Sequence, residues 1–232
     1  MAAMKSWTRR FAAPALAAVA LMFGMGAAAY AQRVGTPPPV TYDNKYEIYG
    51  GLNYMNFKAG ENLPKRMNLG GAEVMGTLWL TPKFGVAADY RGDAGTTDVF
   101  PNAGVYGIHR PLVYMNMGLG GIQYRGPRNQ HAAITYHALG GIAYGVFDAG
   151  TQGAGATPGI SAASNARLVG LYDNHAAAII AVGGSLDLNR SKNWAFRLSP
   201  NLILEHFGNE EREFFSISGG IVYRFPVRGK KK

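Results

Sequence analysis

From Lys45 to Phe225 the chain is a succession of segments in which apolar residues alternate with polar or small ones, closed by Pro, Gly, Asn or Asp. A period of two places successive side chains on opposite faces of an extended strand. Eight such runs occur, at 45–57, 67–80, 84–91, 112–125, 131–147, 175–188, 193–207 and 213–225. Several exceed the five or six residues usual for strands in globular proteins. The spacers between them hold 9, 3, 20, 5, 27, 4 and 5 residues in order, so long and short connections alternate until the last. That rhythm predicts an up-and-down barrel with short turns at one end and loops at the other, and with both termini at the short-turn end. A linker in place of the loop at 148–174 would leave two open sheets with bare edges, so one closed barrel is the better reading. Nowhere past the N-terminus is there the run of about 20 apolar residues that a membrane helix requires.

Gly-Gly pairs fall inside six of the runs, at 50/51, 70/71, 120/121, 140/141, 183/184 and 219/220. Four continue as aliphatic-x-Tyr: Leu52/Tyr54, Ile122/Tyr124, Ile142/Tyr144 and Ile221/Tyr223. Period two puts each aliphatic-tyrosine pair on one face, which we assign to lipid. Tyr54 and Tyr144 then approach the loop end and Tyr124 and Tyr223 the turn end, as two aromatic girdles. The same face is expected to carry Phe84, Val86 and Tyr90, then Ile180 and Val182. Further along it takes Trp194, Phe196, Leu198, Leu202 and Leu204, and finally Phe215, Ile217, Ile221 and Phe225. The glycines would ease bending and crowding in a narrow barrel, though Gly-Gly can also mark turns. In the fourth run, outward Ile122 and Tyr124 imply an outward Asn116 unless a bulge near residues 118–121 shifts the register.

Charged residues occupy the opposite face: Glu47, Glu73, Asp89, Arg91, His137, Asp187, Arg197, Glu205 and Arg224. An eight-stranded barrel is just wide enough for side chains to fill, so these are expected to form a paired network and not a water channel. The last run ends in Tyr223 and Phe225, keeps strict period two on its lipid face, and is stopped by Pro226. This predicts either a C-terminal insertion signal for barrel-assembly machinery or an ordinary interfacial aromatic.

Composition adds an export reading. Lys5, Arg9 and Arg10 precede the apolar run 11–28, and Ala29-Tyr30-Ala31 offers a small-x-small cleavage site, so residues 1–31 read as a signal peptide. A retained anchor is the alternative. Residues 32–44, with Pro37-Pro38-Pro39, read as an extended leader, 45–225 as the barrel and 226–232 as a basic tail. Without residues 1–31 the chain keeps 20 basic and 14 acidic side chains and a net charge of +6. The tail, with Arg228, Lys230, Lys231 and Lys232, could meet phosphates of lipid or nucleic acid; we read it as a solvated end, and no nucleic-acid partner is expected. With no cysteine, disulfides, zinc thiolates and thiol nucleophiles are excluded.

The segments Leu139-Gly140-Gly141, 182–187 (VGGSLD), 195–198 (AFRL) and 218–225 (SGGIVYRF), in that order, resemble the small eight-stranded bacterial outer-membrane β-barrel proteins of the OmpA/OmpX-like kind. The resemblance covers most of the chain after residue 31. It departs in seven residues beyond Phe225 and in lacking a peptidoglycan-binding domain. It implies an outer-membrane address, lipid and lipopolysaccharide neighbours, a barrel-assembly partner, and a structural or surface-interaction role through outer loops whose ligand stays open. Alternatives are a small-solute porin, a lipid A-modifying enzyme, and a soluble lipocalin-like carrier with apolar residues inside. Enzymatic chemistry would need a base near the outer leaflet. His206 lies at a run end beside Glu205, but adjacent strand residues face opposite ways, so we read it as interfacial and expect no catalytic residue. His109, His131 and His175 lack metal-ligand spacing, and the glycine-rich 150–159 lacks a phosphate-loop ending; no metal or cofactor is expected.

Overall fold

The computed structural model describes residues 40–60, 63, 65–97, 110–149, 170–206 and 212–226. Residues 1–31, read as a signal peptide, most of the leader, the tail beyond Pro226, His109 and the 150–159 stretch lie outside the described residues. Eight strands follow in chain order: β1 (Tyr46–Phe57), β2 (Met67–Trp79), β3 (Phe84–Thr96), β4 (Leu112–Arg128), β5 (Ala132–Ala149), β6 (His175–Asn189), β7 (Trp194–Glu205) and β8 (Arg212–Arg224). Each pairs antiparallel with its sequence neighbours, and β8 pairs with β1, so the sheet closes on itself.

Hydrogen-bonded partners traced around the barrel from Tyr46 pass through Leu78, Val86, Ile122, Ala138, Val182, Leu202 and Phe215 and return to β1 at Asn56, ten residues farther on. A stagger of that size over eight strands tilts each by about 40–45°. Along β1 the outward side chains between Tyr46 and Asn56 thus span roughly 24 Å, close to the apolar band of an outer-membrane barrel.

Four strand ends differ from the sequence expectation by two residues or more, one of them the fifth, expected to end at 147 and running on to Ala149. The third strand was expected to stop at Arg91 but continues to Thr96, with Asp93 pointing inward and Gly92 and Ala94 outward. The fourth runs on to Arg128, past a register shift between Arg125 and Arg128. The seventh ends at Glu205, before residue 207.

The short turns are built alike. Thr81 Oγ1 accepts from the amides of Lys83 and Phe84. Asn129 Oδ1 accepts from His131 and Ala132 at 2.8 Å each, and Ser191 Oγ from Asn193 and Trp194. In each, one side-chain oxygen replaces a carbonyl that a turn this tight cannot offer.

The glycine pairs have a steric cause. Within each pair one member faces out, while the other, at 51, 71, 121, 141, 183 or 220, is half-buried with its missing Cβ aimed at backbone of the next strand. Gly141 shows it best: a Cβ there would run into the Gly118 carbonyl, whereas at Gly140 the nearest atom lies 4.0 Å away. The pairs mark where neighbouring backbones crowd the concave side of a narrow barrel.

Candidate functional site: the filled lumen and the girdled outer face

The interior is stratified. At the short-turn end lies a charged layer assembled from five strands. Asp187 on β6 accepts from Arg197 Nε (2.6 Å) and Nη2 (2.9 Å) on β7 and from Arg224 Nη2 (2.8 Å) on β8. Glu47 on β1 accepts from Arg224 Nε at 3.1 Å and Arg125 Nη2 at 3.0 Å, and also receives Trp79 Nε1–H. Arg125 stacks 3.8 Å from the Trp79 ring centre. The three guanidiniums and two carboxylates are at most a few per cent exposed. In so dry a place such charges are tolerable only because nearly every donor has an acceptor.

This layer is capped from outside the strands. Tyr42, in the leader, sits at φ 55° and is 6% exposed. Its hydroxyl donates to the Asn129 carbonyl (2.7 Å) and accepts from Asn189 Nδ2 (2.6 Å), while Arg125 Nη1 donates to its carbonyl. Arg125, Arg128 and Arg224 stand over its ring. Burial raises the Tyr42 pKa, keeping the hydroxyl protonated as a donor. The leader, expected only as an extended segment, therefore ends in a stopper.

A second polar cluster fills the middle. Arg91 Nε donates to Asp89 Oδ2 at 2.8 Å and its Nη2 lies 3.6 Å from Glu73, both carboxylates buried. Asn53 Nδ2 donates to both oxygens of Asp93, and Ser216 bridges Asn53 and Arg91. His137 Nε2 meets Asn201 Oδ1 at 2.5 Å. Toward the loop end the lumen becomes apolar, with Phe57 packed on Phe147 and Phe214 beside Met55, Met67, Leu69 and Met115. Leu63 and Tyr172 from the loops close over them, Tyr172 N donating to the Ala59 carbonyl.

All nine expected lumen residues lie inside the barrel, but not as one network. Glu47, Asp187, Arg197 and Arg224 form the charged layer, and Glu73, Asp89 and Arg91 the middle cluster. His137 pairs apart from both, and buried Glu205 stands near the loop end. Arg125, Asp93 and Tyr42 were missed. Arg125 has inward parity, one position past outward Tyr124, and Asp93 has that of its strand, but the sequence expectation ends β3 at Arg91 and names no lumen residue on β4.

Outside, Tyr46, Phe84, Tyr124, Tyr136, Trp194, Tyr223 and Phe225 collect toward the turn end, with ring centres 4.7 Å apart for Trp194–Tyr223 and 5.0 Å for Phe84–Tyr124. Tyr54, Tyr144, Tyr114 and Phe215 lie toward the loop end. Register is unbroken from Tyr114 to Arg125, so Asn116 does face out, without a bulge at 118–121. Its amide oxygen is satisfied by Tyr90 Oη–H at 2.8 Å. Glu205 is buried and His206 exposed, on opposite faces. An apolar outer face over a charged lumen is the reverse of a soluble carrier barrel.

No model of a known protein family matches the chain, and no curated protein matches it. Among solved structures it is similar to Neisserial surface protein A, at TM-score 0.52 and 9% identity, over 78% of this chain and 97% of that one. Ail of Yersinia pestis, in complex with the heparin analogue sucrose octasulfate, aligns at TM-score 0.44 and 15% identity, over 78% and 97% of the chains. The N-terminal β-barrel domain of Pseudomonas aeruginosa OprF aligns at 0.40 and 11%, over 78% and 98%. The likeness to the Neisserial protein is one of fold, a closed eight-stranded antiparallel barrel.

Proposed function

We propose that this chain is an exported outer-membrane barrel that conducts nothing at rest and acts through what its outer loops present. The observation carrying the reading is the layer of Glu47, Asp187, Arg125, Arg197 and Arg224 that crosses the lumen beneath the Tyr42 stopper. An ion or solute would have to break several charge-assisted hydrogen bonds there and then traverse an apolar plug. A wall this firmly filled serves as an anchor, leaving the loop end to do the work. Lipopolysaccharide is the proposed neighbour of that end. In support, Asn56, Asn68 and Asn116 face outward there as a polar belt, with Lys65, Arg66 and Arg110 exposed beyond it.

The test is planar-bilayer conductance of the purified protein. No steady open level is expected from the wild type. A stable ohmic conductance would replace this reading with the small-solute porin. Neither the lumen nor the exposed His206 favours the lipid A-modifying alternative.

A further inference from the structure

One stretch of the outer face is hollow. A groove of roughly 620 Å³ runs up from the turn end across β1, β2 and β3. Its floor is Gly76 and Ala88, and its walls include Ile48, Leu78 and Val86. Tyr46 and Phe225 stand at its mouth. A Cβ on Gly76 would meet nothing within 4 Å, so the hollow comes from absent side chains and not from backbone crowding.

The mouth is basic. The Lys45 ammonium lies 5.9 Å from the ring centre of Tyr46, the groove wall, and the Lys45 carbonyl accepts from Trp79 N at the start of the β2–β3 turn. Lys83 is exposed on that same turn, and Arg128 Nη1 donates to its Pro82 carbonyl at 3.3 Å. Elsewhere on this rim Arg190 and Lys192 are exposed, against Asp43 as the only exposed acid among the described residues of this end. A lipid-facing apolar slot with cations at its interfacial end matches one occupant: a lipid with an acyl chain and a negative head.

We propose that the groove is a binding site for an anionic glycerophospholipid of the adjoining leaflet. One acyl chain lies against Gly76 and Ala88, and the headgroup phosphate is held by Lys45 and Lys83. The inference rests on the membrane-barrel reading but not on whether the barrel conducts, so the two fail separately.

Protein purified from membranes and delipidated in non-ionic detergent would be given equal phosphatidylglycerol and phosphatidylcholine, and retained lipid counted by native mass spectrometry. Wild type should retain phosphatidylglycerol over phosphatidylcholine by about 25-fold, about fivefold for each of the two lysines near an anionic headgroup. Lys45→Gln with Lys83→Gln should bring the ratio near one. Arg190→Gln with Lys192→Gln, on another turn, should leave it. Gly76→Phe, which fills the slot from the lipid side, should lower retention of both lipids. Heat-modifiable gel mobility confirms that each variant is folded. A wild-type ratio near one overturns the site, as does an unchanged ratio in the Lys45/Lys83 variant. An equal fall in the Arg190/Lys192 variant reduces the site to a diffuse field, and unchanged retention in Gly76→Phe removes the groove.

Discussion

At the residue scale, the two glycines of a pair look identical in the sequence and differ completely in what a methyl group would meet. Gly141→Ala pushes a Cβ into the Gly118 carbonyl, and backbone in a closed sheet cannot step aside. A loss on the order of 2 kcal/mol is expected, as for other overpacked sites. Gly140→Ala, one position away and facing lipid, should change little. Urea unfolding in lipid vesicles measures both, and equal effects would show that the pair is not asymmetric. Arg197→Leu tests the charged layer by the same measurement. It strips Asp187 of two donors in a dry interior, so a loss of about 3 kcal/mol is expected. Wild-type stability would place that layer in contact with water. Which face a charge occupies could be read from parity alone. Which carboxylate meets which arginine could not, because Glu47 and Arg224 are brought together by closure of the barrel and not by any spacing in the chain.

At the element scale, strands were legible wherever their outward faces carried large apolar residues. The third strand shows why this fails: residues 92–95 (GDAG) look like a turn. In a barrel whose lumen is polar, Asp93 is a proper strand residue because Asn53 waits for it, and the outward Gly92 and Ala94 need only be tolerated by lipid. The turn vocabulary of globular proteins does not carry over to such a sheet. At the other extreme, the last strand is tidier than packing requires. Phe225 follows β8, donates its amide to the Tyr46 carbonyl at 3.0 Å and packs edge-on against Tyr223 at 4.9 Å. We propose that Tyr223 and Phe225 also form a recognition end for insertion machinery. Phe225→Ser should then reduce outer-membrane levels in cells far more than it weakens refolded protein, while deleting residues 227–232 does neither. Equal cellular levels of the variant and wild type would leave Phe225 as a girdle aromatic and nothing more.

At the scale of the whole molecule, strand number and the alternation of long and short connections were enough to reach a closed barrel. What escaped was the division of its interior into a charged floor, a polar middle and an apolar top, because layers are made by residues that the stagger of ten brings to one height from distant parts of the chain. The seam between β1 and β8 sets a limit of another kind. The contacts of Glu47 with Arg224, of Tyr49 with Ser218 and of Asn53 with Ser216 join residues 177, 169 and 163 positions apart. None can form until the chain has been made through its final strand, so the entropy of closing the largest loop must be met before the polar groups along this seam find each other. Closure of this barrel is therefore intrinsically slow, and a polypeptide that stops short of β8 is left with Glu47 and Asp187 lacking Arg224 and with two raw sheet edges, the kind of surface on which chains pair wrongly.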